Sequence, residues 1–527
     1  MYERSNASAP DTRDADQLSG GMKGFFKVLR GIEIAGNKLP HPFWLFWILS
    51  GILALISWLL SSLNASAINP TDGKEVVVKN LLSGEGIKMI FESALDNFAG
   101  FAPLATIVTV LLGVAVAEHT GMLKALLRST VVKVPTPYVT LALAFAGTVS
   151  HIAGDAAYIV LIPLGALLFK AVGKSPVIGV VVAFVSISAG YDASPLITTT
   201  DVLLSGLTTA AAQTVDAGYV VSPLANYFFS LASSVVLSIA ITLVVEFVLA
   251  RRPDAGADAD APGADDGAED LGDLTMKPEE LRGLRNVLIV FLAFIAVIVL
   301  AMIPGNSPLR GEDGAIVQST LFSGVAFILG IMFTLLGYVY GKTAGTLTSA
   351  REVPAMMADG LRTLAPILVL FFAISQFLGY FKWTGLSTVL AVHGSETLQS
   401  LNAHPLLILA GVIVMVTLIN LVVTSGSAQW ALVAPVIVPM LMYLDISPET
   451  TQAVYRIADS CTNAITPMSP YFVMALGFLQ RYKKNAGIGT LLSFTLPLVI
   501  VMLVVWCLLF AVWYLLGIDL GPGAPVR

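Results

Sequence analysis

Residues 455–472 read YRIADSCTNAITPMSPYF, a polar stretch with two prolines that lies between apolar segments. A related stretch, SAGYDASPLITTTD, occupies residues 188–201 in the first half of the chain. Proline and glycine interrupt helical hydrogen bonding, and backbone groups in hydrocarbon must be bonded internally. Such interruptions are tolerated where they line a watery cavity or bind a ligand. Both stretches therefore predict helices that break inside a membrane.

The surrounding composition indicates that membrane. Of the 527 residues, 56% are hydrophobic and 12% are charged, whereas soluble proteins carry about 25% charged residues. Apolar runs long enough to cross about 30 Å of hydrocarbon lie near 41–63, 98–118, 223–250, 285–304, 316–341, 355–380 and 490–516. Walker, nucleophile-elbow and His/Cys metal patterns are missing from the sequence, as is a basic face for nucleic acid. We expect an integral membrane protein that is not an enzyme.

Lysine and arginine placement predicts the topology. Positive charges precede and follow residues 135–172, so this segment enters and leaves the membrane on the cytoplasmic side. The turn near Asp445 and Glu449 lacks positive charge, which predicts that residues 404–443 enter from the periplasm. The predicted fold is an all-α polytopic membrane protein with about nine transmembrane helices and two opposed re-entrant hairpins.

Charge and composition also divide the chain into five regions. Residues 251–284 are rich in Ala, Asp, Gly and Pro, which is typical of a flexible acidic linker. The predicted regions are a cytoplasmic segment at 1–40, a first transmembrane half at 41–250, the cytoplasmic linker at 251–284, a second transmembrane half at 285–516 and a periplasmic tail at 517–527.

The two irregular regions match at a constant offset of 272 residues. The matched pairs are Gly154 and Gly426, Tyr158 and Trp430, Pro163 and Pro435, Ser175 and Ser447, Pro176 and Pro448, Ser188 and Ser460, and Pro195 and Pro467. Because charge makes the two copies enter from opposite faces, the match predicts inverted repeats. Substrate sites of such transporters lie near the midplane, where the repeats meet.

Ionisable groups at membrane depth are functional candidates because they are costly unless paired or wet. The candidates here are Asp155, Asp192, Asp201, Arg456 and Asp459. Arg456 and Asp459 are spaced i, i+3 on one helix face, so they are expected to pair, either for function or as a structural ion pair. Asp459, Thr462 and Asn463 together suggest a hard-oxygen cation site.

Two further residues have open roles. His151, near the first hairpin tip, either relays protons or is hydrogen-bonded within that tip. Trp430, after the second tip, either stacks on an apolar or aromatic substrate group or packs at the hairpin bend.

At these residues the sequence resembles the AbgT family of aminobenzoyl-glutamate transporters. The resemblance rests on GDAAYIVLIPLGALLF at 154–169, SAGYDASPLITTTD at 188–201, TSGSAQWALVAPVIVPM at 424–440 and YRIADSCTNAITPMSPYF at 455–472. It implies a homodimer with nine spans and two opposed hairpins per subunit, in a bacterial inner membrane. It also implies transport of p-aminobenzoyl-glutamate or related folate-pathway compounds, or export of sulfonamides, driven by an ion gradient.

The family motifs carry binding roles over to matched positions. The substrate-binding positions implied are Asp201, Ser427, Trp430, Pro448, Arg456, Asp459 and Pro467. Asn420, Asp459 and Asn463 are the expected ligands of a coupling Na⁺, with a proton as the other candidate. No further cofactor is expected. The alternatives are a Na⁺-coupled dicarboxylate or anion transporter of similar architecture, and a channel or receptor-like membrane protein.

Overall fold

A computed structural model describes residues 40–70, 73–131, 134–154, 156–258, 261–263, 276–311, 314 and 319–527. Asp155, the segment 1–39 and, within the acidic linker, residues 259–260 and 264–275 lie outside the described residues. A small antiparallel hairpin, β1 (Ser66–Ile68) and β2 (Glu75–Val77), follows the first helix. The other elements of the described residues are helical.

The described residues of the first half form nine α-helices: α1 (Pro42–Ser62), α2 (Gly84–Ala99), α3 (Ala102–His119), α4 (Met122–Val131), α5 (Val139–Val149), α6 (Ala156–Ala171), α7 (Pro176–Ser188), α8 (Thr199–Ala212) and α9 (Tyr227–Phe247). The second half contains α10 (Pro278–Met302), α11 (Thr320–Ser323), α12 (Val325–Ala344), α13 (Val353–Trp383), α14 (Leu386–Ser400), α15 (Pro405–Asn420), α16 (Gly426–Met442), α17 (Pro448–Thr462), α18 (Pro470–Gln480) and α19 (Ile488–Leu516).

Within the described residues, seven helical segments are long and apolar enough to cross a membrane. They are Pro42–Ser62, Gly84–His119, Tyr227–Arg251, Pro278–Met302, Val325–Ala344, Ala350–Trp383 and Ile488–Leu516. The expected multi-pass helical architecture is thereby confirmed. The span predicted at 98–118 starts earlier than expected, because α2 leads into α3 through a short break at Gly100 and Phe101.

Two pairs of shorter helices occupy the windows predicted as hairpins. The first pair is α5 and α6, and the second is α15 and α16. Even the longest of the four, α16, has 17 residues and extends about 25 Å, less than the hydrocarbon thickness of about 30 Å. The lengths therefore suit helices that turn back within the membrane, although re-entry itself stays a prediction.

The two predicted breaks are confirmed by the helix bounds. Residues 189–198 separate α7 from α8, and residues 463–469 separate α17 from α18. Helices α7 and α17 both begin with a proline at the first helical position, preceded by a serine. Proline is well tolerated there because the amide it lacks has no partner inside the helix. The prediction of about nine spans counts each broken pair as one crossing.

The structure extends the repeat beyond the matched sequence. Ser175 donates a hydrogen bond to the carbonyl of Ala255, in residues 252–258, which we name the linker strap. Its repeat mate Ser447 donates to the carbonyl of Pro525 at 3.4 Å, in residues 519–526, which we name the C-terminal strap. Each strap therefore follows the last helix of its own half and returns to the start of that half's broken helix.

Each strap also crosses to the other half. In the linker strap, Arg252 donates to the carbonyl of Ser493 on α19 at 2.7 Å. In the C-terminal strap, the carbonyl of Leu520 accepts from the amide of Phe229 on α9 at 3.0 Å. The two straps thus tie each broken helix to the first turns of the opposite half's last helix.

The linker strap is packed, which corrects the expectation of a flexible tether in this part of the linker. The side chain of Ala255 is buried. The amide of Asp258 donates to the carbonyl of Tyr482 at 2.9 Å. Hydrogen bonds from Arg252 hold the pKa of Asp254 below its usual range. Composition alone gave the wrong expectation because alanine and glycine contribute backbone groups to these contacts as well as any residue does, and the partners of Arg252 lie far away in the sequence.

Candidate functional site

The packing of α8 against α17 brings Asp201 and Arg456 together. Asp201 is the third residue of α8, and its Oδ2 accepts from the amide and the hydroxyl of Thr198 at 2.7 and 2.8 Å. This is a capping box, in which the residue before the helix and the third helical residue satisfy each other's backbone groups. The other carboxylate oxygen accepts from Arg456 Nη1 at 2.7 Å. The cap thereby fixes the carboxylate that receives the arginine.

Arg456 forms its ion pairs with the first half of the chain. Besides Asp201, its Nη1 lies 3.8 Å from Asp192 Oδ1. Only 2% of the arginine side chain is exposed. The predicted pairing with Asp459 is wrong among the ion pairs of the described residues, because the guanidinium points toward the break at 189–198 instead of along its own helix.

Several polar atoms of this cluster lack a hydrogen-bond partner within the described part of the chain. They include Arg456 Nε and Nη2 and Asp192 Oδ1. A buried donor or acceptor left unsatisfied costs about 1–3 kcal/mol, and more when it is charged. The guanidinium thus has two nitrogens, Nε and Nη2, that can still donate hydrogen bonds, beside the carboxylates of Asp192 and Asp201. An anionic group with two oxygens has the geometry to use them.

Asp459 lies against the second hairpin tip. A Cβ added to Gly426, the first residue of α16, would come within 2.8 Å of Asp459 Oδ2. Tyr455, one turn earlier on α17, donates its hydroxyl to the carbonyl of Gly426 at 2.5 Å. Asp459 Oδ1 has no partner among the described residues. The glycine therefore lets the hairpin tip approach a carboxylate whose bonding capacity is not filled.

Asn420 and Asn463 come together with the backbone carbonyl of Asp459, whereas the predicted cation site also used the Asp459 carboxylate. The Asn420 amide nitrogen contacts three oxygens: the carbonyl of Asp459, Thr462 Oγ1 at 2.8 Å and Asn463 Oδ1 at 3.0 Å. An amide nitrogen carries two hydrogens, so it cannot satisfy all three. Its own Oδ1 lacks a partner in the described structure. Carbonyl, hydroxyl and amide oxygens are ligands that hard cations prefer, so these oxygens suit Na⁺ when the Asn420 amide is turned to present Oδ1 instead of its nitrogen.

Trp430 packs at the hairpin bend. Its side chain is 0% exposed, its ring lies 4.3 Å from that of Tyr455, and its Nε1 donates to Thr208 Oγ1 at 2.9 Å. Ser427, three residues earlier, is only half-buried. Of the two roles left open for Trp430, packing is the one that this conformation has.

The two candidate prolines lie at different positions along the broken helix. Pro467 lies in the break between α17 and α18, close to Asn463 along the chain. Pro448 begins α17, eight residues before Arg456 and about 12 Å away along the helix. Pro448 therefore sets the start of the helix and does not belong to the charged cluster.

Polar contacts continue from the charged cluster toward the predicted periplasmic end. Thr208 of α8 donates to Gln452 of α17 at 2.6 Å. Tyr219, in the segment after α8, donates to Glu449 at 2.8 Å. Burial and the neighbouring Glu449 carboxylate raise the pKa of Tyr219, which keeps the donor protonated. Sequence reasoning missed these partners, although Thr198 with Asp201 three residues later was a readable capping signal.

The first hairpin contributes a bonded histidine. His151 Nε2 lies 2.7 Å from the carbonyl of Ile187, and its ring meets that of Tyr191 edge-on at 4.3 Å. The Tyr191 hydroxyl accepts from Thr200 at 3.2 Å. His151 is therefore hydrogen-bonded within the fold, one of the two roles left open, and it ties the hairpin to the break that bears Asp192.

Comparison with known proteins places this arrangement among transporters. The chain is 36% identical over 498 residues to the p-aminobenzoyl-glutamate transport protein of Escherichia coli strain K12, covering 94% of this chain and 96% of that protein. The MtrF structure of Neisseria gonorrhoeae, described as illuminating a class of antimetabolite efflux pumps, is 36% identical with a TM-score of 0.89, covering 94% of this chain and 100% of that one.

A second solved structure agrees. The YdaH transporter of Alcanivorax borkumensis, whose topology is described as unusual, is 34% identical with a TM-score of 0.84, covering 92% of this chain and 100% of that one. The sequence profile of the AbgT transporter family matches residues 27–527. With the broken helices and the charged cluster between them, these matches show that the chain is a multi-pass membrane protein that belongs to the AbgT transporter family.

Proposed function

We propose that this chain is an ion-gradient-driven secondary transporter of p-aminobenzoyl-glutamate or related folate-pathway compounds. The observation that carries the substrate class is the buried guanidinium of Arg456, which has two N–H groups without partners among the described residues. A substrate carboxylate would accept from both in the bidentate geometry that arginine favours. The glutamate moiety of such a substrate supplies that carboxylate.

The coupling ion is proposed to bind beside the substrate. Asn420, Asp459 and Asn463 would hold Na⁺ through their oxygens, with the Asn420 amide turned so that its unpartnered Oδ1 replaces the nitrogen that now contacts them. A proton on Asp459 is the competing choice. Either ion would neutralise the carboxylate facing the second hairpin tip and so link the gradient to movement of that hairpin.

Cellular context and assembly complete the proposal. We infer a bacterial inner-membrane location, as the source of the E. coli relative suggests. We also infer that the protein works as a homodimer and that it is a carrier instead of an enzyme. Export of sulfonamide antimetabolites is a related proposal, supported by the description of the MtrF relative.

Flux in proteoliposomes tests the proposal. Purified protein would be reconstituted and uptake of labelled p-aminobenzoyl-glutamate measured under a Na⁺ gradient and a pH gradient, imposed separately. We expect one gradient to drive accumulation and Asp459→Asn to abolish that driven component while the protein stays folded. Asn420→Ala should raise the Na⁺ concentration needed for half-maximal flux if Na⁺ is the ion, and should leave a purely pH-driven flux dependent on Asp459.

A substrate panel separates this function from the dicarboxylate alternative. Stronger competition by succinate or citrate than by p-aminobenzoyl-glutamate would contradict the proposed substrate. Driven flux that Asp459→Asn leaves unchanged would contradict the proposed coupling site.

A further inference from the structure

We propose that the stacked rings of Tyr158 and Tyr471 form the aromatic subsite of the transporter and select substrates with an aromatic ring. This assignment rests on the proposed function and adds to it a ring-binding element that the sequence had placed at Trp430. It is carried by the geometry of the pair, by the repeat and by the hydrogen bond that links Tyr158 to the end of α7 beside the first break.

The two rings form a parallel stack across the halves of the chain. Their centroids are 4.1 Å apart and their planes differ by 6°. Tyr158 is the third residue of α6, directly after the first hairpin tip, and Tyr471 is the second residue of α18, directly after the second break. Offset stacking of this kind adds to the energy of simple burial. The pair therefore forms a flat aromatic surface that joins a hairpin tip to a broken helix.

In the second half of the chain, the residue that matches Tyr158 is buried. Tyr158 occupies the position that matches Trp430 in the second half. Trp430 is 0% exposed and packs on Tyr455, so its ring surface is already covered. Tyr158 is almost as buried, but Tyr471 is half-buried. The accessible part of the aromatic surface thus belongs to Tyr471.

Short links connect the pair to the anion cluster. The Tyr158 hydroxyl accepts from Ser188 at 3.3 Å, at the last residue of α7. Three residues on, Tyr191 accepts from Thr200, the neighbour of Asp201. The stacked pair and Arg456 both contact the segment 188–201, through Ser188 and Asp201 respectively. An elongated molecule with a ring at one end and a carboxylate at the other matches this arrangement.

The test compares ring-bearing and ringless substrates. In proteoliposomes, Tyr471→Leu should raise the KM for p-aminobenzoyl-glutamate about tenfold, while Tyr471→Phe, which keeps the stacking surface, should stay within about twofold of wild type. Inhibition by N-acetylglutamate, which keeps the glutamate and lacks the ring, should be equal in all three proteins. Tyr338→Leu, a half-buried tyrosine on α12, is the matched control and should change neither value.

The outcomes separate the two proposals. If wild-type protein does not transport p-aminobenzoyl-glutamate, the proposed substrate is overturned and the ring assignment with it. If wild type transports it and Tyr471→Leu leaves KM unchanged, the ring assignment alone is overturned. An equal loss for p-aminobenzoyl-glutamate and N-acetylglutamate also overturns it, because a structural defect, unlike a ring subsite, would affect both.

Discussion

Arg456 Nη1 lies 2.7 Å from Asp201 Oδ1, and the two residues are 255 positions apart in the chain. The pair joins the first turn of α8 to the middle of α17, and the two helices belong to opposite repeats. It is buried, and a buried pair stabilises a fold only when its remaining polar atoms are satisfied. Here the guanidinium keeps unused donors, which is the arrangement expected of a binding group and not of a purely structural pair.

Removing Arg456 alone should reduce the stability of the protein more than replacing both members of the pair. Arg456→Met removes the positive charge and leaves Asp201 and Asp192 buried without compensation, which should destabilise the protein by about 3–5 kcal/mol. The double variant Asp201→Asn with Arg456→Met removes one of those charges and should recover part of the lost stability. Both should lack transport. Thermal unfolding in detergent and flux in liposomes measure the two effects.

The double variant is also the control for this reading of the pair. A double variant less stable than Arg456→Met alone would show that the hydrogen bonds of the cap stabilise the Asp201 carboxylate and that the arginine does not. Transport retained by Arg456→Met would remove the basis of the proposed carboxylate site.

The breaks could be predicted because their cause is local. Pro467, Pro195 and the neighbouring polar residues cannot continue a helix in hydrocarbon, so the sequence marked where α7 and α17 end. The partner of Arg456 could not be predicted in this way. Spacing along one helix suggested Asp459, whereas the actual partner is set by how two distant repeats pack.

The packing of the two straps and the packing role of Trp430 also could not be predicted from the sequence. The straps are held largely by carbonyls and amides, which every residue has, so composition suggested only a tether around Ala255. A tryptophan after a hairpin tip suits either a substrate or a packing role, and only the positions of Tyr455 and Thr208 distinguish them.

Gly426→Ala tests whether the close approach at Asp459 matters for coupling. The new Cβ would lie 2.8 Å from Asp459 Oδ2. The clashing atoms are the end of a side chain, so we expect the carboxylate to move and the fold to persist. A displacement of about 1 Å in a binding constellation can cost about a hundredfold, so driven flux should fall by about ten- to hundredfold.

Gly411→Ala, on α15 of the same hairpin, is the control for this variant. A Cβ there meets nothing within 4 Å, and flux should be unchanged. Wild-type flux in Gly426→Ala, measured in the same liposomes, would show that the position of the Asp459 carboxylate is not critical.

Trp430→Phe should reduce stability without changing substrate affinity. The phenyl ring can still pack on Tyr455, but the hydrogen bond from Nε1 to Thr208 is lost, at a cost of about 0.5–1.5 kcal/mol. Because the side chain is buried in this conformation, the KM for p-aminobenzoyl-glutamate should stay near the wild-type value. A large rise in KM with no loss of thermal stability would instead assign substrate contact to Trp430.

The C-terminal strap should hold the outer end of the helix that bears Arg456. Thr450 donates its hydroxyl to the carbonyl of Val526 at 2.9 Å, and Thr450→Val removes that bond while keeping the side-chain shape. We expect a loss of about 0.5–1.5 kcal/mol in stability. Hydrogen exchange should become faster in the first turn of α17 and in residues 519–526.

Thr242→Val on α9 is the matched control, because that hydroxyl bonds only to Ser238 of its own helix in the described structure. It should change stability by less than about 0.5 kcal/mol and leave exchange in the strap unaltered. If Thr450→Val accelerated exchange in α17 alone, the threonine would act only on its own helix. The strap would then rest on Leu520 and its bond to Phe229, and α17 would be held by packing instead.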